Sequence, residues 1–159
     1  EYYRLWTSLF LHADLKHLLA NLFLGSILIF FLVGYFGFRL VPLAALSFGA
    51  LTNALTLLSM PSESYLIGFS GVVFWLGGLW LTLYFLISSQ MSLTKRILRT
   101  LGIALFIFFP SEAFDPSVSY MAHFWGFLLG ILFGLLFFAL NKQKWQMQPS
   151  IQIINQIKN

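Results

Sequence analysis

The stretch YMAHFWGFLLGILFGLLFFAL, from Tyr120 to Leu140, carries no charged residue. A helix needs about 20 mostly apolar residues to cross the hydrocarbon layer of a bilayer. Within the stretch, Gly126, Gly130 and Gly134 recur every four residues and form a stripe of small residues on one helix face. Such a stripe lets two helices approach each other closely. The stretch therefore predicts a membrane-spanning helix that packs tightly against a neighbour.

Four further apolar stretches are long enough, or nearly long enough, to cross a membrane. They run from about Leu18 to Phe36, Leu40 to Leu58, Ser70 to Ile87 and, more briefly, Ile97 to Phe109. None alternates apolar and polar residues, which favours helices over barrel strands. Composition agrees, because 59% of the residues are hydrophobic and only 9% are charged, against about 25% charged in soluble domains. We predict an all-α membrane protein, a polytopic bundle with five transmembrane helices.

The positions of the basic residues predict the orientation of the bundle. If the N-terminal segment lies outside, seven of the nine basic residues fall in inside segments and two in outside ones. This bias places the C-terminus in the cytoplasm. We expect a transmembrane domain over residues 1–141 and a polar cytoplasmic tail over residues 142–159. Because the chain begins at Glu1, we expect it to start partway into a longer protein.

Two polar side chains in the predicted spans point to catalysis, since polar groups at membrane depth are costly. Ser70 lies between Gly68 and Gly71, where small neighbours allow a substrate backbone to approach and a helix N-terminus offers free N–H groups. The alternative is a turn in which Ser70 caps the helix. His123 lies near the outer end of the last span. The alternative to a catalytic role is that His123 is a packed histidine bonded to a carbonyl.

His17 and Asn21, one helical turn apart, form a second polar pair. Both suit donation to an oxyanion, although hydrogen bonding between helices is the common role of such residues in membranes. His12 precedes the first span, and structural hydrogen bonding is its favoured role. A zinc site is disfavoured because no His-Glu-x-x-His motif is present. No cysteine occurs, and the dispersed basic residues do not predict a nucleic-acid surface.

Three motifs together resemble the rhomboid family of proteases. The run from Tyr3 to His12, followed by His17 and Asn21, resembles the first loop and second helix of that family. The tetrapeptide Gly-Phe-Ser-Gly at 68–71 matches its Gly-x-Ser-Gly, and residues 122–130 match the Ala-His-x-x-Gly-x-x-x-Gly of its last helix. Each motif is weak alone, but they occur in the family's order over nearly the whole chain.

The resemblance implies a six-helix fold, of which this chain lacks the first helix. It also implies an intramembrane serine endopeptidase with a Ser–His dyad that cleaves transmembrane segments of membrane proteins. By resemblance, Ser70 is the nucleophile and His123 the general base, while His17, Asn21 and the Ser70 backbone N–H form the oxyanion hole. Phe74 stands where family members often carry tyrosine beneath the histidine ring, so this position can still stack on His123 but offers no hydroxyl contact.

The remaining expectations also come from the resemblance. Gly68, His12 and Gly126 support the site, and the fourth span with the loop from Pro110 to Ser117 forms the gate and cap. The partners are transmembrane substrates and the lipid bilayer, with no cofactor and no metal. The expected location is a bacterial inner membrane. Two rival functions are a catalytically inactive rhomboid-like protein that binds membrane helices and a small transporter or channel subunit.

The sequence weighs against both rivals. The chain carries both Ser70 and His123, which counts against an inactive binder. The predicted spans contain few polar residues and no acidic one, which counts against a transport pathway.

Overall fold

The computed structural model describes residues 1–36, 40–61, 63–108 and 118–146 of the 159 residues. All regular structure within these ranges is helical. The elements are α1 (Arg4–Thr7), a 3₁₀ turn (Ser8–Phe10), α2 (Leu15–Phe36), α3 (Leu40–Leu58), α4 (Ser70–Ile87), α5 (Leu93–Phe108) and α6 (Tyr120–Gln146).

Four of these helices are long and apolar enough to cross a membrane, judged by length and composition alone. Their candidate spans are Leu15–Gly34, Val41–Leu58, Ser70–Ile87 and Tyr120–Asn141. The fourth predicted stretch forms α5, which has only 16 residues and carries three basic residues in its first two turns. The helical class is therefore confirmed in the described ranges, whereas the count of five spans stays a prediction.

The observed helix bounds correct some predicted ones. α3 and α4 begin and end where predicted, and α2 begins three residues earlier, at Leu15. There Asp14 accepts a hydrogen bond from the backbone N–H of His17 at 2.7 Å, which satisfies one of the free donors of the first turn. α6 continues past its predicted end to Gln146, with a break from helical geometry at Asn141. The predicted cap, Pro110 to Ser117, and residues 147–159 of the predicted tail lie outside the described residues.

α4 and α6 form the most extensive helix contact in the described part of the chain. A Cβ atom added to Gly126 would lie 2.2 Å from the carbonyl oxygen of Gly71, and one added to Gly130 would lie 2.2 Å from that of Trp75. On α4, Gly78 makes the corresponding contact, since a Cβ added to it would lie 2.4 Å from the Phe127 carbonyl oxygen. The predicted small-residue stripe is thus confirmed, and it brings two backbones into direct contact.

Aromatic rings fill the centre of the bundle. The fully buried Trp75 stacks on Phe48 of α3, with ring centroids 5.2 Å apart, and packs against Phe133 of α6 at 5.4 Å. This cluster joins α3, α4 and α6. Large apolar side chains cover much of the exposed surface, as expected of helices that face lipid.

α5 is attached mainly to α4. At its first turn the Arg96 guanidinium donates to the Phe85 carbonyl and lies 4.4 Å over the Phe85 ring centroid. At its C-terminal end the Phe108 ring fills a notch at Gly77, where an added Cβ would collide with it. Both contacts use single side chains, so α5 packs less extensively than α6 does.

Candidate active site

The turn before α4 presents Ser70 at a helix N-terminus. Gly68 has φ +112°, a left-handed conformation that residues with a side chain rarely adopt. The His17 ring packs directly against it, because a Cβ at this position would lie 2.8 Å from the imidazole Cε1. Ser70 is the first helical residue and is half-buried. Phe69 occupies the N-cap, with no side-chain cap bond, so the alternative of Ser70 as a helix cap is wrong.

His123 lies in the first turn of α6, with its ring parallel to that of Phe74. The ring centroids are 3.9 Å apart and the planes differ by 9°. Phe74 follows Ser70 by four residues on α4, so the two side chains leave the same helix face. Among the described residues, no carbonyl accepts a hydrogen bond from the imidazole, so the alternative of a carbonyl-bonded histidine is not observed.

Contact between the backbones of α4 and α6 fixes the position of one helix relative to the other along their axes, at the first turn of each. Gly126 packs against the Gly71 carbonyl, and an added Cβ on Gly71 would lie 3.7 Å from the carbonyl oxygen of Ala122. Ser70 directly precedes Gly71 in the chain, and His123 directly follows Ala122. Small residues here therefore bring the backbones that carry both side chains together.

α2 contributes the other predicted polar groups. His17 contacts Gly68, and its ring meets the edge of the His12 ring, with centroids 5.2 Å apart and planes at 73°. Asn21 is 8% exposed, and its Nδ2 is buried without a hydrogen-bond partner in the described structure. The Nδ2 group therefore makes no hydrogen bond to a neighbouring helix. The donor of Asn21 is therefore free to serve a ligand.

An apolar groove of about 320 Å³ opens beside the His123–Phe74 pair. Its walls come from α4, α5 and α6, and it is lined by Phe74, Leu101, Ala104, Leu105, Phe108, His123, Phe124 and Phe127. His123 is the one polar residue among these eight. The imidazole thus borders a space that apolar groups can enter from the side of the helices.

Two contacts are not made in the described residues. Ser70 Oγ and the His123 imidazole share no hydrogen bond there, so direct proton transfer between them belongs to the proposal below. In the same ranges, no three His, Cys, Asp or Glu side chains gather closely enough to hold a metal ion. The structure does bring His17 to Gly68, Phe74 to His123 and Gly126 to Gly71.

Comparison with known proteins identifies the family. A family model, the Rhomboid domain, matches residues 1–140. The chain belongs to the rhomboid family. No curated protein and no solved structure gave a significant match. Rhomboid proteins are generally serine proteases that act on transmembrane substrates within the bilayer. Membership in this family and four apolar helices make this chain an integral, multi-pass membrane protein.

One polar residue near the rhomboid motifs was missed by the sequence reasoning. Asn53, in α3, is 3% exposed and donates hydrogen bonds to α1 and to the 3₁₀ turn after it. A signal was present, because an asparagine inside a predicted span is costly unless it is paired or functional. Its partners were not predictable, since they lie 45 and 48 residues away along the chain.

Proposed function

We propose that this rhomboid is an active serine endopeptidase in which Ser70 is the nucleophile and His123 the general base. The observation that carries the proposal is the stacking of His123 on Phe74, one helical turn below Ser70. Without a third catalytic residue, packing must orient the imidazole. A parallel ring at 3.9 Å does this by restricting rotation of the histidine.

The proposed reaction is an acyl transfer followed by hydrolysis. His123 takes the proton of the Ser70 hydroxyl as its oxygen attacks a peptide carbonyl. The imidazolium then gives this proton to the leaving amine, and an acyl-enzyme remains on Ser70. A water molecule attacks the ester with His123 again as base, which releases the new carboxyl end and restores the serine.

Three donors suit the developing oxyanion. They are the unpartnered amide of Asn21, the imidazole of His17, which packs against Gly68, and the Ser70 N–H in the first turn of α4. Donors fixed before the reaction stabilise the transition state without reorganising. The half-buried His12, whose ring touches that of His17, supports the orientation of that donor.

The proposed substrates are transmembrane segments. The groove beside His123 is apolar, so the apolar side chains of such a segment enter it without burying an unpaired polar side chain. A helical peptide bond is shielded by its own hydrogen bonding, so the cleaved segment must unwind locally. We further propose a six-helix fold completed by a helix before Glu1, a cytoplasmic C-terminus and a bacterial inner membrane as the host.

The function is tested with the purified protein in proteoliposomes that contain a single-span reporter. We expect two fragments, with a new terminus inside the apolar span when mapped by mass spectrometry. A reporter that co-purifies with the protein but stays intact would support the inactive binder instead. Flux of ions or solutes across the same liposomes, without cleavage, would favour a transport function.

Replacement of Asn21 by alanine should lower kcat by about 100- to 1,000-fold, as the loss of one oxyanion donor does in other serine proteases. KM should change little, because the interaction strengthens only in the transition state. The melting temperature should stay close to that of the wild type, since the Nδ2 donor of Asn21 has no hydrogen-bond partner to lose. Unchanged kcat, or loss of the folded bundle, would contradict the oxyanion role and indicate that Asn21 is structural.

A further inference from the structure

Asn53 makes contacts that the rhomboid motifs do not include. Its Nδ2 donates to the Leu5 carbonyl oxygen at 3.0 Å and to the Ser8 hydroxyl at 3.1 Å. A side-chain amide has two N–H donors, so both are used. The acceptors lie in α1 and in the 3₁₀ turn after it, and the Leu5 carbonyl lies in the last turn of a helix, where such groups lack a helical partner.

Ser8, which accepts a hydrogen bond from Asn53, also contacts the turn before Ser70. Its carbonyl oxygen accepts hydrogen bonds from the backbone N–H groups of Gly68, at 3.0 Å, and Leu11, at 3.3 Å. The neighbouring Leu9 is fully buried and packs against α3 at Gly49. The segment is thus clamped to α3 by one amide and one apolar side chain, and it holds Gly68 from one side.

We propose that Asn53 is a positioning residue for the nucleophile. Through Ser8 it keeps the turn from Gly68 to Ser70 in a fixed position relative to the oxyanion donors of α2. This inference rests on the protease function proposed above. Glycine adopts many backbone conformations, so the left-handed turn at Gly68 depends on contacts from outside it. The Ser8 carbonyl supplies one such contact and the His17 ring supplies the other.

The test compares Asn53→Ala with the wild type in the reporter assay. We expect kcat per folded molecule to fall about 10- to 100-fold, because a displacement of about 1 Å at reacting atoms has effects of this size. KM should stay within about twofold, since the groove beside His123 is untouched. The control is Asn141→Ala, which also removes an Nδ2 bond to a backbone carbonyl, that of Phe137 at 2.9 Å. It should retain the wild-type kcat.

A second variant tests the route through Ser8. Ser8→Ala removes the hydroxyl but keeps the carbonyl, and it should lower kcat by about threefold or more. The double variant should be no slower than Asn53→Ala alone, because both changes break one chain of contacts. If Asn53→Ala fails to fold, Ser8→Ala carries the test by itself.

Four outcomes test this inference, and they distinguish its failure from that of the proposed function. An inactive wild-type protein overturns both. An active wild type with unchanged kcat per folded molecule in Asn53→Ala overturns the positioning role alone. A loss of activity that only follows the folded fraction also overturns it, because Asn53 then serves stability. Unchanged kcat in a folded Ser8→Ala overturns the route through Ser8.

Discussion

Replacement of Ser70 by alanine is expected to lower the rate of reporter cleavage at least about 1,000-fold, because removal of a nucleophile that acts together with its base eliminates the covalent pathway. The hydroxyl of Ser70 makes no hydrogen bond in the described structure, and no cap bond at α4 depends on it. Its removal should therefore leave helix content and melting temperature unchanged. The measurement is the initial rate of cleavage in proteoliposomes, beside a thermal melt of the same sample.

Ser47→Ala provides the matched control for this change. Ser47 lies in α3, where its hydroxyl bonds the Leu43 carbonyl of its own helix at 3.0 Å. The control removes the same atom from a helix and should retain the full rate. Cleavage by Ser70→Ala at a rate comparable with the wild type would contradict the assignment of the nucleophile.

Replacement of Gly126 by alanine is expected to lower both the stability and the activity of the protein. The new Cβ would lie 2.2 Å from the Gly71 carbonyl oxygen, so α4 and α6 must move apart where they carry Ser70 and His123. Overpacking of this kind costs about 1–3 kcal/mol of stability. We expect a lower melting temperature, together with a fall in kcat of about 100-fold from the displaced imidazole.

Gly34→Ala is the control for the glycine change. Gly34 lies in α2 with no atom within 4 Å of an added Cβ, so the substitution meets no clash there. Alanine is also the better helix former by about 1 kcal/mol, so stability should stay equal or rise slightly. Wild-type activity and stability in Gly126→Ala would show that the contact between α4 and α6 is looser than described.

The helices that cross the bundle centre were predictable because their ends are marked by strong local signals. The apolar run of α3 stops at the polar connector that begins with Ser59, and α4 begins directly after a glycine turn. α5 was harder, since the basic residues in its first two turns resemble a loop. An amphipathic helix accommodates them on one face, so the helix begins at Leu93 rather than Ile97.

The extension of α6 to Gln146 was missed for a different reason. Hydrophobicity marks where a helix leaves the apolar layer, not where its hydrogen bonding stops. Glutamine and lysine are good helix formers in water. The residues after Asn141 therefore continue the helix although they read as a polar tail.

The catalytic motifs were predictable as residues but not as an arrangement. Short spacings place Ser70 beside Gly68 and His17 above Asn21, because one helix turn or one loop joins them. The links between distant segments, such as that of Asn53 to Leu5, use backbone carbonyls as acceptors. Every residue carries such a carbonyl, so these contacts have no sequence signature. The contact of Gly78 with the Phe127 carbonyl was not predicted for the same reason, because its partner is a backbone carbonyl.

The central claim is that His123 activates Ser70, and covalent labelling of Ser70 in a His123→Ala variant tests it most directly. A fluorophosphonate probe reacts with an activated serine, so the wild-type protein should carry the label on the peptide that contains Ser70. The His123→Ala variant retains Ser70, and if it melts like the wild type it should label at least about 1,000-fold more slowly. Labelling of folded His123→Ala at the wild-type rate, or an unlabelled wild type, would contradict the claim.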